Sequence, residues 1–107
     1  MDLAGNENLT KIYFTIDITP PQIIIISPIN GSISNSSTVK IEAVANEPII
    51  RWAYSINGGR YTQFSGNITI ELPDGIYTLS IKGVDYAGNI GLSTVKFIID
   101  TTPPMVT

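Results

Sequence analysis

The chain has 107 residues, a formal net charge of −3 and 43% hydrophobic residues, with no histidine and no cysteine. That length supplies one domain with one core, and the missing His and Cys remove the common general bases, thiol nucleophiles and soft metal ligands. Its six Lys and Arg are scattered singly and form no stripe that would neutralise phosphates, and no apolar run nears the length of a bilayer crossing, so neither nucleic-acid binding nor membrane insertion is expected.

The text Asp2-Leu3-Ala4-Gly5-Asn6 near the start returns as Asp85-Tyr86-Ala87-Gly88-Asn89. Each copy runs on to a proline pair, Asp17-Ile18-Thr19-Pro20-Pro21 in the first and Asp100-Thr101-Thr102-Pro103-Pro104 in the second. The copies lie 83 positions apart without a gap (85 − 2 and 103 − 20), and residues 2–24 laid on 85–107 give 11 identities in 23 pairs. Composition alone gives about one or two. An internal repeat of this period signals a tandem array. Residues 1–18 are therefore read as the last strand of a preceding repeat, 19–102 as one complete repeat and 103–107 as the start of the linker to the next; a chain cut in this phase is expected to be a piece of something longer.

In residues 9–17 Ile12, Phe14 and Ile16 share one face of a period-two strand. Its partners would belong to the preceding repeat, so it is expected to be mobile, to compete with residues 92–100 for one slot, or to fill that slot in a second molecule. Thr19-Pro20-Pro21 removes two ladder donors and predicts a short, semi-rigid linker. Residues 22–27 hold four consecutive isoleucines, which fits a strand buried on both faces or an edge strand guarded by Pro21 and Pro28. Residues 29–37, rich in Asn, Gly and Ser, read as a loop.

Alternation then returns. Val39, Ile41, Ala43 and Ala45 share one face; after Asn46-Glu47-Pro48 the set Ile50, Trp52, Tyr54 and Ile56 alternates with Arg51, Ala53 and Ser55. Asn57-Gly58-Gly59 predicts a hairpin turn with positive φ, followed by a short return over 60–64. Ile68, Ile70 and Leu72 make the next strand, Pro73-Asp74-Gly75 a turn, and Tyr77, Leu79 and Ile81 the strand leading to Asp85. Ala87-Gly88-Asn89 reverses the chain into a last strand with Val95, Phe97 and Ile99 on one face. No helical period occurs. Seven strands with turns every eight to twelve residues predict an all-β antiparallel sandwich of two sheets; parallel pairing would need long crossovers that the spacing lacks. The expected core is Ile41, Trp52, Tyr54, Ile70, Tyr77, Leu79, Ile81, Val95 and Phe97.

Three stretches carry a resemblance: Leu72-Pro73-Asp74-Gly75-Ile76-Tyr77, Val84-Asp85-Tyr86-Ala87-Gly88-Asn89, and Phe97-Ile98-Ile99-Asp100-Thr101-Thr102-Pro103-Pro104. In them the chain resembles the immunoglobulin-like tandem repeats of bacterial and archaeal cell-surface proteins. The resemblance implies an immunoglobulin-like or fibronectin III-like sandwich in an extracellular spacer or adhesive stalk, with neighbouring repeats of the same chain as its first partners, and it implies no ligand. It departs from antibody-type domains in lacking the two inter-sheet cysteines. The interdomain joint is expected to use Asp17, Pro20, Pro21, Asp85, Gly88, Asn89, Asp100, Pro103 and Pro104.

Three carboxylates, Asp17, Glu47 and Asp85, are candidate calcium ligands at the end where the chain enters; the structural alternative has Asp85 accepting N–H bonds across its own turn, with Gly88 and Asn89 left-handed. Asn8, Asn30, Asn35 and Asn67 each open an Asn-x-Ser/Thr triplet and are candidate glycosylation sites on loops or strand starts. Trp52, Tyr54, Tyr61 and Phe64 are a candidate platform for sugar rings, although the first two fall on the expected core face. The expected function is a non-enzymatic spacer or adhesive module of a surface protein. One alternative is a carbohydrate-binding or accessory module of a secreted hydrolase, marked by an exposed aromatic pair. Another is an adhesin that binds a protein through an exposed apolar edge at residues 23–26; surface proteins or glycans are the candidate outside partners.

Overall fold

The computed structural model describes residues 18–102. Eight strands follow one another: β1 (Ile23–Ser27), β2 (Ser32–Ser34), β3 (Thr38–Ala45), β4 (Ile49–Ile56), β5 (Thr62–Phe64), β6 (Asn67–Glu71), β7 (Gly75–Asp85) and β8 (Ile90–Ile99). They form a three-stranded sheet in the order β1-β3-β6 and a five-stranded sheet in the order β2-β8-β7-β4-β5.

Period-two alternation fixes which faces meet. Register pairs Val39 with Ile70 and Ile41 with Ile68 in the smaller sheet, and Tyr77 with Phe97, Leu79 with Val95 and Tyr54 with Ile81 in the larger. These rows turn inward together, and Ile41, Leu79 and Ile81 lose all contact with solvent. Val95 and Phe97 are buried with them, while Trp52, Tyr54 and Ile70 pack against this cluster half-buried. Tyr77, itself buried, stacks on Phe97 with ring centroids 5.6 Å apart and donates its hydroxyl to the Pro73 carbonyl at 2.6 Å. A tyrosine at the start of the penultimate strand bonding back to the preceding corner, with a tryptophan on the strand beside it, is the immunoglobulin-like arrangement.

The chain departs from its sequence reading at four places. Ser32–Ser34, read as loop, is β2, which pairs parallel with β8. No crossover is needed because the chain leaves the smaller sheet after β1 and joins the larger one; the short Ser-Ile-Ser run carries no alternation to announce it. In β4 a bulge adds one residue between Ile49 and Arg51, so Ile49 packs on the core in the place expected of Ile50, which is exposed. The four isoleucines of β1 are neither all buried nor all exposed: Ile23 is in the core, Ile25 packs against it, and Ile24 and Ile26 face solvent on an edge strand. Finally, Gly88 is left-handed at φ 89° but Asn89 is not; the only non-glycine with positive φ among the described residues is Asn57, in the β4–β5 turn.

Candidate interdomain joint

The two ends of the sandwich are built differently. At the incoming end, Gly83 on β7 faces Gly91 on β8, and the missing side chains open a seat on the inner face of the larger sheet. Pro21 lies in it, buried. A Cβ on Gly91 would overlap the Pro21 carbonyl oxygen and lie 3.1 Å from its carbonyl carbon, whereas one on Gly83 would meet side chains alone, the tip of Ile23 at 2.7 Å and Ile49 at 3.4 Å. The next residue is held as well: the Gln22 amide donates to Asn46 Oδ1 at 2.9 Å, and the Asn46 amide donates back to the Gln22 carbonyl at 3.3 Å. Pro21, which would otherwise lead loosely into the first strand, is thus pressed onto the body of the domain.

The Asp85 loop adjoins this seat. Asp85 is 1% exposed. Its Oδ1 accepts the amides of Ala87 at 2.9 Å and Asn89 at 2.8 Å, and its Oδ2 accepts the Asn89 side-chain amide at 3.2 Å. Burial pushes its pKa up and is the largest single influence, but the bonds from Asn89, Ala87 and the Glu47 carboxyl together outweigh it and hold the carboxyl below its ordinary range. The carboxylate ties a five-residue reversal that ends two residues before Gly91.

At the outgoing end the fastening is polar. Asp74, in the turn between β6 and β7, accepts the Thr101 amide at 3.1 Å, the Thr101 hydroxyl at 2.7 Å and the Thr102 hydroxyl at 3.4 Å. The Thr101 hydroxyl is the main cause of its lowered pKa. Asp100 donates its amide to the Ser34 carbonyl at 2.8 Å and accepts the Thr102 amide at 3.1 Å. Both threonines after the last strand are therefore held against the domain that they leave.

Among the joint residues expected from sequence, Pro21, Asp85, Gly88 and Asn89 come together at the incoming end, with Pro20 exposed just before them, and Asp100 lies at the opposite end. Asp17, Pro103, Pro104, Asn8 and residues 9–16 lie outside the described residues. Sequence reading missed Gly91, Asn46 and Asp74. Gly91 interrupts a strand alternation, which was a readable sign of close backbone approach; Asp74 looked like an ordinary turn residue and Asn46 like another.

The described residues bring no group of three acidic side chains together that could hold a metal ion; Glu47 and Asp85 do meet, and the Asp85 oxygens take up the donors of their own turn and the Glu47 carboxyl. Asn30 and Asn35 sit in exposed loops and Asn67 opens β6, exposed, while Asn30 Oδ1 accepts the Lys96 amide at 2.9 Å. Trp52 and Tyr54 each meet Phe64 edge to face, at 66° and 86°. Rings so crossed offer no flat stack for a sugar. Tyr61 is exposed on the outer face of the larger sheet and carries the Lys82 ammonium 4.5 Å over its ring.

The fold, with Pro21 and Thr101–Thr102 held against its two ends, defines a class of protein: an immunoglobulin-like β-sandwich module. The particular relatives follow. The chain is 35% identical over 110 residues to halomucin of Haloquadratum walsbyi (strain DSM 16790 / HBSQ001); the match takes in 95% of this chain and about 1% of the length of halomucin. No family model matches. In structure the chain is similar to the PKD1 domain of the Vibrio cholerae metalloprotease PrtV, at TM-score 0.62 and 14% identity over 78% of this chain and all of that one. It is also similar to fibronectin(III)-like modules of Clostridium thermocellum CbhA, at TM-score 0.57 and 15% identity over 73% of this chain and 95% of that one. These structural likenesses establish the sandwich fold.

Proposed function

We propose that the chain is a non-enzymatic spacer repeat of a tandem array at a prokaryotic cell surface, whose work is to hold successive domains at a set distance and angle. The observation that carries this is the double fastening of the linker. Because the copies align without a gap, Thr102, held by Asp74 of its own domain, stands two positions before Pro104, the counterpart of the seated Pro21. Two residues span at most about 7 Å, so consecutive sandwiches sit end to end with little slack. The likeness to a stretch of halomucin supports the surface setting, and the exposed Asn30, Asn35 and Asn67 suit a glycosylated exterior. The crossed geometry of Trp52, Tyr54 and Phe64 tells against the sugar-binding alternative. Exposed Ile24 and Ile26 on the β1 edge favour the adhesive role as an addition to the spacer role.

Small-angle scattering on chains of two, three and four successive periods tests the spacer reading. Strands of ten and eleven residues make each sandwich about 35 Å long, so the maximum dimension is expected to grow linearly, by roughly that length plus the linker for each period. Growth as the square root of the number of periods, as for a flexible chain, would sink the proposal.

A further inference from the structure

Both ends of the β7–β8 pair expose apolar side chains that the fold itself does not use. At the outgoing end Ile76 is 72% exposed and pairs with Ile98, which in turn pairs with Ile33, 69% exposed. Beside them lies a shallow cleft of about 160 Å³ lined by Gly31, Ser32, Ile76, Lys96, Phe97 and Ile98. At the incoming end Tyr86 stands at the tip of the Asp85 loop, 72% exposed, although the residues on either side of it are fixed by the Asp85 turn. Its counterpart in the upstream copy is Leu3. In the sequence the aligned position carries a large side chain, Leu or Tyr, in both copies, while the neighbouring Asp, Ala, Gly and Asn are identical.

We infer that Tyr86 of each repeat docks into the Ile76–Ile98 cleft of the repeat before it, so that the array is stiffened by a contact between bodies as well as by the linker. This rests on the tandem reading above. The linker argument brings the two surfaces within reach: with about 7 Å of chain between Thr102 and the next proline seat, the outgoing ends of β7 and β8 in one repeat face the loop that joins β7 to β8 in the next. Size agrees, since a cavity of about 150 Å³ accepts one benzene-sized ring. Chemistry agrees too: the cleft carries the outward-facing Ile76 and Ile98 side chains, and Lys96 at its edge offers an ammonium to the ring. The loop tip is also rigid, because Ala87 and Asn89 donate to the Asp85 carboxylate, so little conformational freedom is lost on docking.

The test uses this chain continued past Thr107 by a second copy of residues 25–102, which completes a second period. Methyl NMR is expected to show nuclear Overhauser contacts between the Ile76 δ1 methyl of the first repeat and the Tyr86 ring of the second, with an upfield ring-current shift of that methyl. Y86S in the second repeat alone is expected to abolish both while leaving the melting temperature of the 107-residue chain carrying the same change within about a degree, because an exposed loop tip contributes little to folding. Two repeats that tumble as one body but show no Ile76–Tyr86 contact and no response to Y86S would overturn the docking and leave the spacer reading standing. Repeats that tumble independently would overturn both.

Discussion

The seat of Pro21 on Gly91 makes a sharp prediction for Gly91→Ala. Gly91 lies in a strand and does not have a left-handed backbone, so on local grounds alanine should stabilise the protein by about 0.4–1 kcal/mol through the unfolded state. The structure reverses that sign. The new methyl would overlap the Pro21 carbonyl oxygen and lie 3.1 Å from its carbon, and the chain there is pinned one residue later by the two Gln22–Asn46 bonds, so it is backbone that must move. Overpacking of this kind costs about 1–3 kcal/mol. The net is a loss of about 1 kcal/mol, or a fall of ~4–8 °C in melting temperature for a domain of this size. Gly83→Ala is the contrast, since its methyl meets side-chain atoms of Ile23 and Ile49 and no backbone and is expected to cost less. Urea unfolding of the two variants beside the parent reads the difference in midpoint at constant slope. If Gly91→Ala proved neutral or stabilising, the linker would not be seated as described.

Further expectations concern charge and packing. Asp74 and Asp85 both have lowered pKa values; a depressed carboxyl contributes stability above its unfolded value, and that contribution disappears as pH falls through the folded value. The melting temperature is therefore expected to hold from pH 7 to about 4.5 and to drop below about pH 4, with a shallower acid limb in Asp85→Asn; an unchanged limb in that variant would remove Asp85 from the account. Leu79→Ala, at a site with no solvent exposure, is expected to cost about 2–5 kcal/mol by chemical denaturation, and a loss under 1 kcal/mol would mean a core looser than described. Calcium is expected to leave the melting temperature and the amide shifts of Glu47 and Asp85 unmoved, because the Asp85 oxygens already accept internal donors; a saturable shift of both would establish a site.

Most of the architecture was legible because the sheets are two-sided and alternation marks them. Tyr77, Leu79 and Ile81 could be placed on one inward face from spacing alone, and Asn57-Gly58 marked a turn that the structure confirms with positive φ at both residues. What escaped depends on long-range contact. Ser32–Ser34 becomes a strand because β8 offers it a free edge, which no local pattern reports. Ile49 displaces Ile50 through a bulge, a shift of one residue that alternation cannot anticipate where both candidates are isoleucine. At the joint the repeat drew attention to Asp85 and the prolines, since repeated text is visible. Asp74 lies where the upstream copy is not represented; its stretch was marked only as a turn and by resemblance, and its partners Thr101 and Thr102 are 27 and 28 residues away, beyond any local pattern.

The central claim is that the segments flanking the strands, at Pro21–Gln22 and Thr101–Thr102, belong to the folded body at both ends. Backbone ¹⁵N relaxation on the 107-residue chain reads this directly at Gln22, Thr101 and Thr102, with Leu79 and Phe97 as internal references. The account predicts order parameters of about 0.85 at all five positions, and a fall at Thr101 and Thr102 alone in Asp74→Ala. Order parameters under about 0.6 at Gln22 and the two threonines in the parent chain would show linkers that move freely of the sandwich and would contradict it.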